Sequence, residues 1–579
     1  MLIIGLLLLI LAVSSTDERN LPMYVKINRI VFILFISNAY LAYNTLYVDT
    51  LAGGIGIYGG VFKVNILSQV FDIIILLTGS IVSILTCYDN SSWSTESKEY
   101  SLLLLFTTIG GCLLISAQNL ISIYLALELQ SFTLYLIAAS RIESFKGTSG
   151  GLKYFLLGGL SSGFILFGFS LLYAYTGSLN LDSIFMIYST NSYSDNFFLE
   201  ICLLIVFAGL LFKVSAAPFH NWAPDVYSDV PTISTTWLIV IAKLSILVLI
   251  LILVHYIHSG LNLNTLTNNS IINIYNIYPE YHKMGLWTNF LTLSACLSLI
   301  IGTIVGLNQG LTKRLLAYST ISHVGFLLAA LSINSIVSID AFIFYLIQYT
   351  MTNLNIFFIL IAWGYIYTFY YVETPNLVIS PSFNFPGFIH FPSYAGEIRR
   401  PGKGNALGNN TNVNRFYNKI IGVPTNDYSD YYPDYSEWVF TPVPAISQLK
   451  GMHYTDPFLA FSLAISIFSL AGIPPLIGFF AKQQVLLASM QLDYYFLSFL
   501  IINTSVIGAA YYLRIIKFIF FFNQVFRTVN NNTINQYEYL SNIHLSLFIA
   551  IFTNIILFYI FKPYIFIDLI HLISISLAI

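Results

Sequence analysis

Four charged side chains sit where a chain this apolar has least use for charge. Glu128 lies in "SIYLALELQSFTLYLIAAS", Lys213 in "FAGLLFKVSAAPFH", Lys243 in "WLIVIAKLSILVLI" and Lys482 in "GIPPLIGFFAKQQVLL". At the centre of a hydrocarbon layer each such charge costs about 2.5–3.5 kcal/mol on insertion scales, so these residues pair with one another or with internal water, and a functional role is the default reading. The competing reading lays each lysine stem in lipid and lets the ammonium reach the interface. Apolar residues on both sides of all three lysines weigh against it. A lysine in a low-dielectric site beside a mobile carboxylate holds or releases its proton as the carboxylate approaches or withdraws. Glu128 and Lys213 are read as that pair. Lys243, one span further on, and His323 in "KRLLAYSTISHVGFLLAAL" extend the pair into a relay, because imidazole titrates near neutral pH. A lone histidine in an apolar helix is commonly a packing residue; Ser319, Thr320 and Ser322 beside His323 favour the relay.

The lysines lie next to broken segments. Pro218, five residues after Lys213, removes a backbone donor and, with the small residues before it, lets carbonyls and water reach the ammonium. Pro474 and Pro475 interrupt a later span seven residues before Lys482. Two proline-interrupted spans in corresponding places of two halves are the sequence signature of a transporter built from repeats. The lysine precedes the break in the first and follows it in the second, an order taken here as a mark of inversion. Asp72 in "SQVFDIIILL" lies nearer one end of its span and reads as interfacial or functional. His220 and Asp225 stand at the loop mouth after the first break, where they either admit protons or cap the next segment. "GIGIYG" at 54–59 matches a dinucleotide fingerprint, but no βαβ unit surrounds it, so the match is chance. Cys87, Cys112, Cys202 and Cys296 are scattered singly, without the spacing of a zinc, haem or iron–sulfur site, and read as packing.

These residues need a membrane to position them. Of the 579 residues, 57% are hydrophobic and 9% charged, against about 25% charged in soluble domains. Apolar runs of spanning length fall near 2–15, 30–48, 66–87, 101–118, 120–139, 152–175, 199–217, 233–256, 288–306, 314–331, 336–369, 456–490, 496–521 and 543–561, fourteen in all. The runs 336–369 and 456–490 are too long for single straight spans, so breaks are expected in both. With fourteen spans, 18 of the 24 lysines and arginines fall on one side of the membrane and three on the other. That bias marks the side of insertion. A net charge of −2 implies no nucleic acid or other polyanion as partner. The N-terminal run lacks a basic leader and reads as a first span rather than a cleaved signal. Residues 372–455, rich in Pro, Gly, Asn and Tyr, read either as an extended arm lying on a partner or as plain disorder.

Glu128, Lys213, "SAAPFHNWAPDVY", Lys243, "KRLLAYSTISHVGF" and "AGIPPLIGFFAKQ", in this order and each charge in its own span, resemble the antiporter-like membrane subunits of respiratory complex I. The resemblance covers roughly residues 30–370 and 456–560. It implies an all-α polytopic membrane protein of about fourteen transmembrane helices, with two inverted five-helix repeats and two broken helices. The implied division is 1–100 for three N-terminal helices, 101–256 for the first repeat, 288–521 for the second, interrupted by the 372–455 loop, and 522–579 for a C-terminal helix and tail. It implies proton translocation driven by NADH:ubiquinone oxidoreduction in other subunits, with no redox centre or metal in this chain. NADH, FMN, iron–sulfur clusters and ubiquinone would lie in those partners. Glu128 and Lys213 would form the modulating pair, Lys243 the central relay, and Lys482 the end of the path toward the far side. Expected partners are neighbouring antiporter-like subunits, other membrane-arm and small accessory subunits, and phospholipids. The Asn-, Ile-, Tyr- and Phe-rich composition fits an AT-rich organellar genome such as a fungal one. The expected location is therefore the mitochondrial inner membrane, with the basic loops in the matrix. The 372–455 insertion has no counterpart in the compact family pattern.

Two other classes compete. A free-standing monovalent cation/proton antiporter would want a carboxylate that trades a metal ion for protons, and an ammonium in the path repels Na⁺. A purely structural subunit would freeze its charges in ion pairs. Three lysines against one clear acid leave cations over.

Overall fold

In lipid a backbone must satisfy its own polar groups, so long apolar runs without proline become helices. The computed structural model describes residues 1–15, 21–88, 99–140, 144–190, 193–269, 285–372, 445–522 and 543–578. In chain order the helices are α1 (Leu2–Ser14), α2 (Leu21–Thr45), α3 (Ile66–Tyr88), α4 (Glu99–Ser116), α5 (Leu120–Ala138), α6 (Phe145–Thr176), α7 (Leu181–Thr190), α8 (Tyr193–Val214), α9 (Trp222–Asp229), α10 (Thr232–Trp237) and α11 (Lys243–Asn269). They continue as α12 (Leu286–Leu307), α13 (Thr312–Ile333), α14 (Ile336–Val372), α15 (Met452–Thr455), α16 (Pro457–Ala471), α17 (Ile477–Gln491), α18 (Tyr495–Phe521), α19 (Ile543–Phe558) and α20 (Pro563–Ala578). Among the described residues, 11 helical stretches are each long and apolar enough to cross a membrane. Adding α1, α2 and the broken pair α16–α17 brings the spans to the fourteen expected.

Of the two long runs, one breaks and one does not. The 456–490 run separates into α16 and α17 around Gly472 (φ +84°), Pro474 and Pro475. The 336–369 run is one helix of 37 residues, so the break expected there is absent. Its sequence holds no proline, and nothing interrupts the i to i−4 ladder. The C-terminal "tail" contains a further apolar helix, α20. "GIGIYG" supplies the first strand and turn of a two-stranded hairpin, β1 (Ile55–Ile57) paired antiparallel with β2 (Phe62–Val64). The proposed arm lies outside the described residues from 373 to 444.

Alternate loops meet on opposite sides, as the count of spans requires. On the sparsely charged side, Val61 O accepts from Gln118 N, and Asn119 bridges Asn180. On the basic side Leu311 bridges Ala445, and Asp225 binds both Arg314 and Lys153. Asn119 caps α5 and Leu311 caps α13, and each pairs with the loop that follows the next long helix. The two bridges are thus the same construction on opposite membrane faces. The helix hairpins beneath them match as well. Gly110 of α4 lies against Gln130 of α5, where an added Cβ would come within 2.9 Å of the Gln130 nitrogen. Gly302 of α12 lies against Ser322 of α13, with the corresponding approach at 2.6 Å. Small residues at such crossings let helices without a hydrophobic drive between them pack closely. Five spans per copy is an odd number, so the second copy starts on the opposite face and is upside down. Inversion of this kind preserves residue order along the chain. The opposite placement of the two lysines about their breaks is therefore no mark of it and has a different cause, given below.

The central elements are α13 and the α10–α11 segment, both 94% buried over their most apolar windows, whereas only 39% of the α6 window is buried. Phe155, Leu156 and Phe164 of α6 face outward. Gly302→Val is expected to destabilise the protein by about 1–3 kcal/mol or more, because the added atoms meet backbone. Gly159→Ala, where nothing lies within 4 Å, is expected to be close to neutral. Thermal melting of the two purified variants measures the difference.

Candidate functional site

The first break sets the position of two lysines. Pro218 cannot donate a backbone N–H, and the helix ends in a turn in which Ser215 takes φ +64° and Ala216 N bonds back to Leu211 O at 3.0 Å. Phe212 O, left without its usual partner, accepts from Ser215 N at 3.1 Å and from the Trp222 indole N–H at 3.0 Å. Trp222 stacks on Tyr154 with ring centroids 5.0 Å apart, which anchors α9 beneath the end of α8. Lys213 is left one residue from the end of α8. Its Nζ lies 3.7 Å from Glu128 Oε1 of α5, and both side chains are largely buried, at 7% and 14% exposure. Neither atom has a hydrogen-bond partner. The two charges attract without being locked in one geometry.

The strained Ser215 turns its hydroxyl toward the next cation. Lys243 follows a π turn at Leu238–Ala242, and Nζ donates to Ser215 Oγ at 3.0 Å and Thr320 Oγ1 at 3.1 Å, with the Tyr227 ring centroid 5.5 Å away. The side chain is buried. Between Lys213 and Lys243 is a cavity of about 20 Å³, also lined by Gln130, Ser131, Trp222 and Tyr227. One water needs roughly 10–15 Å³ by this measure, so the space suits a single water between the two lysine nitrogens.

Thr320, which accepts from Lys243, lies one turn before His323 on α13. His323 is buried, with Nδ1 2.7 Å from Tyr345 Oη and Nε2 3.0 Å from Tyr512 Oη. A neutral imidazole donates at one nitrogen and accepts at the other, so this ring can take a proton on one face and give one up on the other. Phe326 stands next along α13. The Lys482 Nζ lies 5.3 Å from its ring centroid.

Lys482 has its own explanation in the second break. In an intact helix Leu470 O and Ala471 O would accept from the N–H groups four residues on, but those residues are Pro474 and Pro475 and have none. Lys482 Nζ donates to these two carbonyls, at 2.8 and 2.9 Å. The lysine follows the break because it reaches back over it. Among the described residues no carboxylate lies within ion-pair distance of Lys243 or Lys482.

The structure thus brings Glu128, Lys213, Lys243, His323 and Lys482 into one succession. It leaves three other candidates off that line. His220 is half-buried, its Nδ1 3.3 Å from Pro218 O. Asp225 is on the outer face of α9, 2.7 Å from Arg314 and 3.6 Å from Lys153. Asp72 is part-buried near the start of α3, and one of its carboxylate oxygens is buried without a partner. Cys112, Cys202 and Cys296 are free thiols, and no group of three metal-ligating side chains occurs among the described residues.

Sequence reasoning missed several buried polar groups. Glu200 accepts from Leu286 N at 2.9 Å at the start of α12 and from Tyr188 at 3.2 Å. It lies at the first turn of the 199–217 run, where an acid reads as lying near the end of a span rather than deep in it. Lys313, placed in a loop by the reading, is buried and donates to Val230 O at 2.8 Å. Asp340 meets His571 of α20 at 2.9 Å. The tyrosines around His323 carry no local signal, since aromatic spacing in a membrane helix does not tell core from lipid face.

With this geometry in view, the comparisons with known proteins are specific. Residues 117–269, 261–368 and 441–508 match the family described as NADH:quinone oxidoreductase/Mrp antiporter, transmembrane region. The chain belongs to this family of multi-pass membrane proteins. It is 38% identical to the NADH-ubiquinone oxidoreductase chain 2 of Rhizopus oryzae, over all of this chain and 99% of the relative. It is 31% identical to the NADH-quinone oxidoreductase subunit N 1 of Rhizobium meliloti (strain 1021), over 80% of this chain and 77% of the relative. Its fold is similar to a chain of respiratory complex I from Thermus thermophilus, at a TM-score of 0.61 and 22% identity, covering 96% of this chain and 97% of that one. It is also similar to a chain of the Mrp complex from Dietzia sp. DQ12-45-1b, at a TM-score of 0.68 and 15% identity, covering 100% and 96%. The family match stops at 368 and resumes at 441, bracketing the insertion read from the sequence.

Lys482→Met is expected to leave Leu470 O and Ala471 O unpaired, at about 1–3 kcal/mol each, and to lower the melting temperature. Adding Pro474→Ala and Pro475→Ala to that variant restores two backbone N–H groups and is expected to recover part of the loss. No recovery in a thermal-shift series would contradict the pairing of this lysine with the two carbonyls.

Proposed function

We propose that this chain is a membrane-arm subunit of a respiratory NADH:ubiquinone oxidoreductase that moves protons along the succession from Glu128 to Lys482. The redox chemistry belongs to other subunits. In this reading NADH, FMN, iron–sulfur clusters and ubiquinone are bound there, and this chain supplies a proton path that their turnover drives. The mitochondrial inner membrane is the proposed location, with the basic loops in the matrix, supported by the Rhizopus oryzae relative and the loop charge bias. Neighbouring antiporter-like and small accessory subunits would cover the outward apolar faces, with phospholipid over the remainder. Residues 101–256 and 288–521 are proposed as the two functional repeats, with 1–100 and 522–579 flanking them.

The single observation that carries the reading is a row of buried bases, from Lys213 paired with Glu128, through Lys243 and His323, to Lys482 bound to two carbonyls beside Phe326. Two unit charges about 4 Å apart attract by about 4 kcal/mol at an effective dielectric of 20. Withdrawing Glu128 from Lys213 therefore makes the ammonium far readier to give its proton to a water between it and Lys243. Lys243, held by neutral hydroxyls alone, is free to accept one. A proton arriving at His323 by way of Thr320 enters at one ring nitrogen while the other releases to a tyrosine. Lys482 then delivers it across the second break. Each step passes one proton on, so the number of charges along the succession is unchanged while their positions move.

A free-standing Na⁺/H⁺ exchanger of Mrp type fits the fold equally well. The ammonium-lined cavity disfavours it, because a bound Na⁺ would be repelled at close range. The decisive variant is Lys213→Met in the assembled respiratory complex. It is expected to assemble yet lose proton translocation and the NADH oxidation coupled to it by roughly a hundredfold or more, the scale of a positioned proton-transfer group. Proton uptake by inside-out vesicles, measured with and without Na⁺, is the readout. Unchanged pumping would exclude the role assigned to Lys213, and strict Na⁺ dependence would favour the exchanger.

A further inference from the structure

Asp72 is a part-buried acid that the succession above does not use. It stands six residues into α3, about 9 Å along the axis. Its Oδ1 is buried with no hydrogen-bond partner, and its neighbour is the thiol of Cys112 on α4. An ionisable residue so placed is costly and points to a function by default.

The surroundings give it a direction. On α3, Asn65, Ser68 and Asp72 recur at helical spacing, forming one polar face that starts at the loop on the sparsely charged side. Ser68 is buried and bonds to both the Asn65 backbone nitrogen and oxygen. Asn65 Oδ1 and Gln118 Oε1 at this mouth are buried acceptors without partners. Gln118 Nε2 and Lys63 Nζ both reach the hydroxyl of Tyr256, at 2.5 and 3.3 Å. In the opposite direction, Ile75 continues the Asp72 face to Gly111 of α4. A Cβ placed on Gly111 would lie 3.6 Å from Ser245, 3.7 Å from Gln130 Nε2 and 3.7 Å from Ile75. The missing side chain therefore leaves a gap of about one atom between the Asp72 face and the Gln130–Ser245 pair, whose side chains bond to each other at 2.8 and 3.0 Å. Gln130 lines the cavity between Lys213 and Lys243.

We propose that Asp72 is a further proton-carrying residue, exchanging protons between that cavity and the membrane face opposite the basic loops by way of Gln130, Ser245 and the gap at Gly111. In the step, an ammonium gives a proton to water as that water gives one to the Asp72 carboxylate. The products are a neutral amine and a neutral carboxylic acid, so no bond other than O–H and N–H changes. The proton leaves along the Ser68 face toward Asn65 and Gln118. This inference rests on the proton-path reading above.

Asp72→Asn and Gly111→Ala, each in the assembled complex, test it beside Lys213→Met. The alanine methyl meets only ordinary contacts, so Gly111→Ala packs while filling the gap. Both variants are expected to lower proton translocation per NADH oxidised by about tenfold, less than the roughly hundredfold expected of a group that carries every proton. Wild-type translocation in Gly111→Ala overturns the proposal whatever Asp72→Asn does, since a merely structural aspartate would not feel that methyl. If Asp72→Asn fails to assemble, Gly111→Ala alone decides. Loss in Lys213→Met with normal Gly111→Ala removes Asp72 and leaves the main path standing; normal translocation in Lys213→Met removes the main path itself.

Discussion

A buried ammonium must replace the water it has lost without being bound so firmly that it can no longer change its charge. The rest of the structure follows from how three lysines meet that constraint. Lys213 has a carboxylate at 3.7 Å with no hydrogen bond to fix it. Lys243 has two hydroxyls and an aromatic face. Lys482 has two carbonyls that prolines have stripped of their own donors. These environments differ in strength and charge, and the proposed path would run from one to the next. Both helix breaks serve the same end, because each frees backbone or hydroxyl oxygens at a depth where an intact helix offers none.

The second break shows how a motif acquires a physical meaning. Tandem proline followed by lysine seven residues later is at first only a kink beside a charge. The fold shows that the lysine occupies the hydrogen-bonding positions the prolines vacate, so neither feature is stable alone. The first break is built from different parts: the Trp222 indole repairs Phe212 O, and Ser215, bent into the left-handed region, serves Lys243. On the basic face the broken segment also ties the two repeats together. Asp225 of α9 holds Lys153 of the first repeat and Arg314 of the second, while Lys313 binds the backbone at Val230.

Much of this was legible in the sequence. Charges inside apolar runs announced themselves, since few mechanisms tolerate them, and the loop charges suggested which loops share a side. Proline located both breaks. What stayed hidden was depth and neighbourhood. For Asp72 the place near the end of an apolar run was legible, but not the burial of one of its carboxylate oxygens. Lys313 looked like loop because it begins a helix, yet α13 is so central that its first turn is already inside. The 336–369 run was expected to break on length alone, but it holds no proline, and its single glycine, Gly364, leaves the helix continuous. The tyrosines of His323 come from α14 and α18, and their meeting is a tertiary fact.

The two loop bridges, Asn119 to Asn180 and Leu311 to Ala445, have one more implication. If both halves descend from a single duplicated ancestor, the copies were threaded into the bilayer facing opposite ways, and insertion machinery that retains cations on one side would have treated them differently. Packing could be inherited unaltered, as the glycine crossings at 110 and 302 were. Loop charge could not. The first turn of α5 opens with Leu120, Ile121 and Ser122, while the equivalent turn of α13 carries Thr312, Lys313 and Arg314. Divergence between the halves should therefore be greatest at helix ends and least at helix crossings, and the two cations added at the start of α13 became free to take on the new work of gripping α9 and the turn that follows it.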